Sequence, residues 1–349
     1  MPKTVYVGMS GGVDSSVAAL LLLEQGYRVV GVYMKNWSRD LPGMKCPWAE
    51  DLADAKRVAV KLGVPFEVWD FEKEYHDKVV EYMLSEFKKG NTPNPDVMCN
   101  QEIKFKLFFE KAMEAGADFI ATGHYARTNN KSLLRAVDEN KDQTYFLYRI
   151  SEEALEHTLF PIGGMKKPEV KKLAAEKGLH NAYKKESMGV CFVGEVGMKD
   201  FLKEYIDVEP GEIREIESDK VLGYHEGAVF YTIGQRHGLY LSGVAGEAND
   251  GLPYYVVKKD IKNNIVYVSK NLNHEAIWTR TLKLKELFFR SGPRHSSQVL
   301  VRLRHRAALI PATFDGETLY FENEVKRPAS GQSAVLYDGE ICLGGGIIA

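Results

Sequence analysis

The stretch TVYVGMSGGVDSSVAALLLLEQG, Thr4 to Gly26, decides the fold. Thr4 to Gly8 is an apolar strand, the glycines form a turn, and about Val13 to Gln25 reads as an amphipathic helix, with no spacer between the three. Gly11 and Gly12 can take backbone angles closed to residues with a Cβ, so successive N–H groups can converge on one anion. The helix points its positive end the same way. Ser10, Asp14 and Ser15 add hydroxyls for phosphate oxygens and a carboxylate for Mg²⁺. A Walker A loop requires a Lys before its Ser/Thr, which Val13-Asp14-Ser15 lacks, and no GxGxxG follows the strand.

SGGVDS resembles the PP-loop of the ATP pyrophosphatases, which cleave ATP between the α- and β-phosphates and pass AMP to an acceptor. The alternative is an ordinary glycine turn before a helix; its place directly after the first strand favours the phosphate loop. Strand and helix then alternate: VVGVYM (Val29 to Met34), Ala49 to Leu62 as helix, FEVWDF as strand, Glu74 to Lys89 and Ile103 to Ala115 as helices, and Asp118 to His124 as a strand ending in glycine. Such alternation predicts an α/β fold with an N-terminal Rossmann-like parallel sheet, with ligands beyond the carboxyl ends of the strands, and the PP-loop resemblance implies a sheet of the adenine nucleotide alpha hydrolase kind. The loop, Met34 and Gly123 fall at such ends.

The chain has 349 residues, 44% hydrophobic and 27% charged, which is ordinary globular material for two or three domains. Its net charge of -2 hides local basic surface. The cysteines Cys46, Cys99, Cys191 and Cys342 form no CxxC knuckle, which argues against a structural zinc site or a disulfide framework. The longest N-terminal apolar run, Val17 to Leu23, is too short to span a membrane and lacks a charged n-region before it, so the chain reads as cytoplasmic, with no membrane partner.

After about Asp207 short strands replace the helices. The expected division is residues 1–206 as the nucleotide domain, 207–275 as a small β-rich middle domain, and 276–349 as a C-terminal β-barrel. Arg280 to Arg306 holds eight Lys/Arg against one acid, Glu286. Arg302, Arg304 and Arg306 alternate, which would set them on one strand face to track nucleic-acid phosphates; a solvated face is the plainer alternative.

Two cysteines lie among activating neighbours. Cys99 follows a loop with prolines at 93 and 95 and precedes a helix expected near Glu102, a position that favours the thiolate. Cys191 lies between Gly189 and Gly194, behind Lys184 and Lys185, whose charges would lower its pKa. Each is either a nucleophile or a buried small hydrophobe. Cys46 and Cys342 read as structural.

The strings GMSGGVDSSVAALLL, KNW, AEDLADA, TPNPDVMCNQEIKF, ATGHYAR, KDQTYFLY, GVCFVGE and YTIGQRHGL together resemble the bacterial tRNA-specific 2-thiouridylases, nearly end to end. That resemblance implies adenylation of the C2 oxygen of the wobble uridine in tRNAs for lysine, glutamate and glutamine, followed by displacement of AMP by a persulfide sulfur. By position it implies that Gly8, Met9, Ser10, Gly11, Gly12, Val13, Asp14 and Ser15 cradle ATP, with Met34 and Gly123 lining the adenosine pocket. Cys191 would bear the persulfide and Cys99 would be its partner thiol, able to end in a disulfide with it. Asn94, Pro95 and Asp96 would meet the target base, and Lys141, Asp142 and Gln143 the tRNA, as would Arg304 and His305, where the family usually shows Arg-Tyr. A sulfur-relay protein or cysteine desulfurase would supply sulfur. An iron–sulfur cluster on Cys99, Cys191 and Asp96 is the alternative use of the same ligands. Three other readings remain from the sequence: a small-molecule acceptor, a different tRNA position, or a non-catalytic RNA-binding protein that kept the loop.

Overall fold

The computed structural model describes residues 1–40, 46–129, 131–185, 197–241, 252–290 and 297–349. Its first seven strands are β1 (Thr4–Gly8), β2 (Arg28–Lys35), β3 (Phe66–Asp70), β4 (Phe119–Thr122), β5 (Arg127–Asn129), β6 (Ser132–Leu134) and β7 (Thr158–Leu159). Five of them form a parallel sheet in the order β3-β2-β1-β4-β7. Alternation along β1 explains why both faces are covered. Val5 and Val7 join one core with Val29 and Ala121, while Tyr6 joins the other with Val30, Val32 and Ile120. The chain moves outward from β1 through β2 to β3 and then crosses back to β4 on the other side of β1, so the carboxyl end of β1 is the switch point where an open sheet presents a crevice. Helix α1 (Val13–Glu24) starts there and buries Val17, Ala18, Ala19 and Leu22 on the sheet.

A second sheet of four strands follows, ordered Tyr255–Asp260, Ile265–Ser269, Gly211–Glu215, Val221–His225. Six strands of the C-terminal part, Trp278–Phe289, Ser297–Arg302, Ile310–Phe314, Thr318–Lys326, Ser333–Asp338 and Ile341–Ile348, close into a barrel, because the first pairs with both the fourth and the last. Closure removes free sheet edges around an interior of Leu282, Val301, Phe314, Leu319 and Leu336. The β5–β6 hairpin of the first segment extends this sheet by pairing Leu133 and Leu134 with Cys342 and Ile341. The barrel is thus joined to the nucleotide domain through backbone hydrogen bonds as well as side chains.

The structure differs from the sequence reading at the Cys99 helix and in the basic strip. The helix expected near Glu102 begins at Pro95: Pro95–Met98 is α-helical, Cys99–Leu107 widens into π-helical turns, and Phe108–Glu114 returns to α-helix. Asn94 caps it, accepting from the Val97 N–H at 3.4 Å, and Pro95 sits where a missing N–H costs nothing. Cys99 therefore lies within the helix, after its first turn, rather than ahead of it. The barrel strand that was to carry three alternating arginines ends at Arg302, so Arg304 and Arg306 sit in the turn beyond it, with Arg306 at φ +63°.

Candidate nucleotide and thiol site

At the carboxyl end of β1 the glycine loop meets three other elements. Gly11 has φ +79°, and a Cβ there would lie 2.3 Å from the Asp51 carbonyl oxygen, so the helix starting at Trp48 abuts it. Gly123, just beyond β4, lies against the first turn of α1: a Cβ on it would stand 2.5 Å from the Ser15 nitrogen. Gly8 faces Met34, whose Cε would be 2.9 Å from an added Cβ. The sequence-expected residues Gly8 to Ser15, Met34 and Gly123 therefore form one contiguous site.

The loop has the polarity for phosphates. Gly12 is the N-cap of α1 and provides no side-chain cap, so the first-turn amides are left for another acceptor. Ser15 Oγ donates to the Gly12 carbonyl at 3.1 Å and accepts from Ser10 N–H at 3.2 Å, which holds the loop closed. These features fit a nucleotide polyphosphate. Asp14 is engaged by its neighbours: Lys167 Nζ contacts both its carboxylate oxygens at 2.7 Å and Tyr125 Oη donates to it at 3.0 Å. Lys167 and Tyr125 are buried. Among the described residues no group of three His, Cys, Asp or Glu could hold a metal, so a Mg²⁺ would draw on Asp14 and on phosphate oxygens, a donor set that suits it.

Sequence reasoning missed Lys167, Tyr125 and Asn181. Asn181 is buried and donates to Gly11 O and Ser16 Oγ, both at 2.9 Å. Tyr125 also links the site to the Lys141–Gln143 turn, since its N–H donates to Gln143 Oε1 at 2.8 Å.

The helix bearing Cys99 reaches this site through the residue after Gly123. Lys104 Nζ lies 3.5 Å from His124 Nε2, Phe105 packs on the His124 ring at 5.8 Å, and His124 Nδ1 pairs with Thr122 Oγ1 at 2.8 Å. Burial, reinforced by the Lys104 charge, holds His124 well below the ordinary imidazole pKa, so it is neutral at physiological pH. Burial raises Asp96 above the usual carboxylate range, opposed by Lys104. Cys99 is buried, at 3% exposure. Cys191 lies outside the described residues, as does Arg294. Lys184, expected to activate Cys191, is paired with Asp51 at 2.7 Å and Asp54 at 2.6 Å, so its charge is largely neutralised. Burial pushes the thiols of Cys46 and Cys342 up, in keeping with packing roles.

On the barrel side, Arg302 is buried against Asp142, with Arg302 Nη1 2.5 Å from Asp142 Oδ2, so neither side chain faces solvent. Asp142 also accepts from Thr144 Oγ1 at 3.0 Å and the Ala136 N–H at 3.2 Å. His305 is half-buried, packs on the Phe146 ring at 4.5 Å and lies 3.2 Å from the Asp142 carbonyl through Nε2, while Arg304 and Arg306 are exposed. Of the three arginines, only these two can meet phosphates. Arg304→Ala and Arg306→Ala are each expected to lower the slope of log K against log salt for tRNA binding by about 0.7–0.9, read from affinities at several salt concentrations.

A strand–glycine loop–helix cradle on a doubly wound sheet, followed by two β modules, defines an α/β nucleotide-binding protein with appended β domains. Family models match accordingly: residues 3–195 match a tRNA methyl transferase HUP domain, 199–270 a tRNA methyl transferase PRC-barrel domain, and 279–348 an aminomethyltransferase beta-barrel domain. The chain is 46% identical over 358 residues to the tRNA-specific 2-thiouridylase MnmA of Idiomarina loihiensis, covering 99% of this chain and 96% of that one. It is 47% identical over 358 residues to that of Shewanella amazonensis, covering 99% and 94%. The chain belongs to the tRNA-specific 2-thiouridylase family. Among solved structures, a 4-thiouridine synthetase in complex with RNA and ATP overlaps 52% of this chain and 42% of its own, at 21% identity and TM-score 0.36, too loosely to add to that assignment.

Proposed function

We propose that the protein is a tRNA-uridine 2-sulfurtransferase that uses ATP to replace the C2 oxygen of a wobble uridine with sulfur, in tRNAs for lysine, glutamate and glutamine. Two matched family models carry a methyl-transfer description, whereas the relatives are named for thiolation. The residues favour thiolation. Methyl transfer calls for no phosphate cradle, while thiolation requires both a cradle and a thiol.

The C2 carbonyl of uracil is amide-like and does not expel its oxygen unaided. In the proposed sequence that oxygen attacks the ATP α-phosphorus and pyrophosphate leaves, its charge met by the amides at Gly11 to Ser15 and the end of α1. Mg²⁺ held by Asp14 would neutralise phosphate charge. A terminal persulfide sulfur on Cys191 then attacks C2, and the C2–O bond breaks to release AMP. Cys99 attacks the Cys191 sulfur, leaving the new C2=S and a Cys99–Cys191 disulfide that a donor thiol reduces. Asn94, Pro95 and Asp96 would receive the flipped base, and Lys141, Gln143, Arg304 and His305 the tRNA. Asp142, being buried against Arg302, would serve by holding its turn. The cluster alternative uses the same thiols, and an anaerobic preparation assayed for iron and for persulfide distinguishes the two.

The observation that carries this reading is the Lys104–His124 and Phe105–His124 contact, which sets the Cys99 helix beside Gly123 at the nucleotide loop. It is tested with unmodified tRNA, ATP and a persulfide donor: tRNA-dependent pyrophosphate release and formation of 2-thiouridine are expected together, and both are expected to vanish in Asp14→Ala. Among the cysteines, Cys99→Ser is expected to stop thiolation after adenylation, whereas Cys46→Ser and Cys342→Ser keep it. Nucleoside mass analysis beside a pyrophosphate assay reads each variant, and loss of thiolation in a folded Cys46→Ser protein would count against this division.

A further inference from the structure

The segment that leads into the Cys99 helix, Asn91 to Asn94, is held from outside the nucleotide domain. Gln332 Nε2 of the barrel donates to the Thr92 carbonyl at 2.7 Å and lies 3.3 Å from the Pro93 carbonyl. The Thr92 N–H donates to the Ser330 carbonyl at 2.8 Å. Gly331 lies so close, at φ +91°, that a Cβ on it would be 3.0 Å from Asn91 Cβ and 3.1 Å from the Thr92 backbone. The middle domain adds Thr232 Oγ1, 3.3 Å from Thr92 Oγ1. The Ser330–Gln332 turn is itself fixed on the last barrel strand, by Gly331 N–H to Ile348 O at 2.9 Å and Ile348 N–H to Gln332 O at 2.8 Å.

Local chemistry makes that grip reach the thiol. Thr92 and Asn94 each precede a proline, which restricts both to extended backbone, and Pro93 and Pro95 have fixed φ. The segment is therefore stiff, and holding it at Thr92–Pro93 sets the direction in which Asn94 enters its cap. Asn94 starts the helix whose next turns carry Asp96 and Cys99.

We propose that Gln332 is a positioning residue for the sulfur-transfer step: it fixes the Thr92–Asn94 segment from the barrel and so places Asp96 and Cys99 for the activated base. This rests on the reading of Cys99 given above. The test compares wild type with Gln332→Met, which keeps length but loses the donor, and with the milder Thr232→Val. Hydrogen exchange over residues 92–99 of the free protein is expected to quicken in Gln332→Met, and less in Thr232→Val, with the melting transition and ATP affinity unchanged. At saturating tRNA and ATP, single-turnover thiolation by Gln332→Met is expected to fall roughly ten- to a hundredfold, as small misplacements do. A loss confined to subsaturating tRNA, with the wild-type rate regained at saturation, would overturn the proposal and make Gln332 only an RNA contact. Unchanged exchange over 92–99 would overturn it as well. If the wild-type protein makes no 2-thiouridine, the functional reading falls while the exchange measurement still decides whether Gln332 holds the segment.

Discussion

Gly123→Ala is expected to remove tRNA-dependent pyrophosphate release almost completely while costing about 1–3 kcal/mol of stability. The added Cβ would stand 2.5 Å from the Ser15 nitrogen and 2.6 Å from the Asp14 carbonyl carbon. Both are backbone atoms of the first turn of α1, which cannot rotate away as a side chain would. β4 cannot yield either, since it is paired to β1 from Val5↔Phe119 to Gly8↔Thr122. The helix start must move, and with it the amides that would receive the phosphates; displacement of about 1 Å can cost on the order of a hundredfold in rate. Gly164→Ala is the control, because nothing lies within 4 Å of a Cβ at that position. Urea unfolding, ATP binding and pyrophosphate release measured on both variants check this, and a Gly123→Ala protein with wild-type ATP affinity would contradict it.

The second large effect belongs to the junction between nucleotide domain and barrel. Arg302→Met is expected to destabilise the protein by up to about 3–5 kcal/mol, since it leaves the buried Asp142 carboxylate with only the more distant cation of Arg135, whose Nε stands 3.9 Å from Oδ2. Side-chain exposure is 5% for Arg302 and 0% for Asp142, so solvent can replace neither partner. Arg302→Met combined with Asp142→Leu is expected to recover part of the loss, because the buried charge is gone while Thr144 and the Ala136 amide still lose an acceptor. Urea midpoints of the two singles and the double form the cycle. Equal stability of Arg302→Met and wild type would show that the pair contributes nothing.

Much of the architecture is legible in the chain because it is local. The apolar run of β1, the glycines behind it and the helix after them are consecutive, so their order alone names the loop and the parallel sheet. The Cys99 helix starts earlier than the sequence suggests because Pro93 and Pro95 read as loop; Asn94-Pro95 is in fact an N-cap followed by a first-turn proline, a signal present in the sequence. Lys167 and Asn181 left no such trace. Each sits in a polar stretch far along the chain and reaches the loop only once the helix Lys167–Glu176 packs beside α1. Arg302 misled for the same reason: its strand alternates as a surface strand would, and the carboxylate that draws it inward lies in a turn of another domain.

In the proposed reaction ATP activates the C2 oxygen of a tRNA uridine and sulfur then takes its place. Transcribed tRNA carrying ¹⁸O at C2 of the wobble uridine tests it most directly, with one turnover run on the persulfide-loaded protein and the AMP analysed by mass. Transfer of the label into the phosphate of AMP, one atom for each 2-thiouridine formed, is the expected result. Unlabelled AMP with 2-thiouridine present would mean that the oxygen leaves by another route, and the account of the loop as the site of uridine adenylation would be wrong.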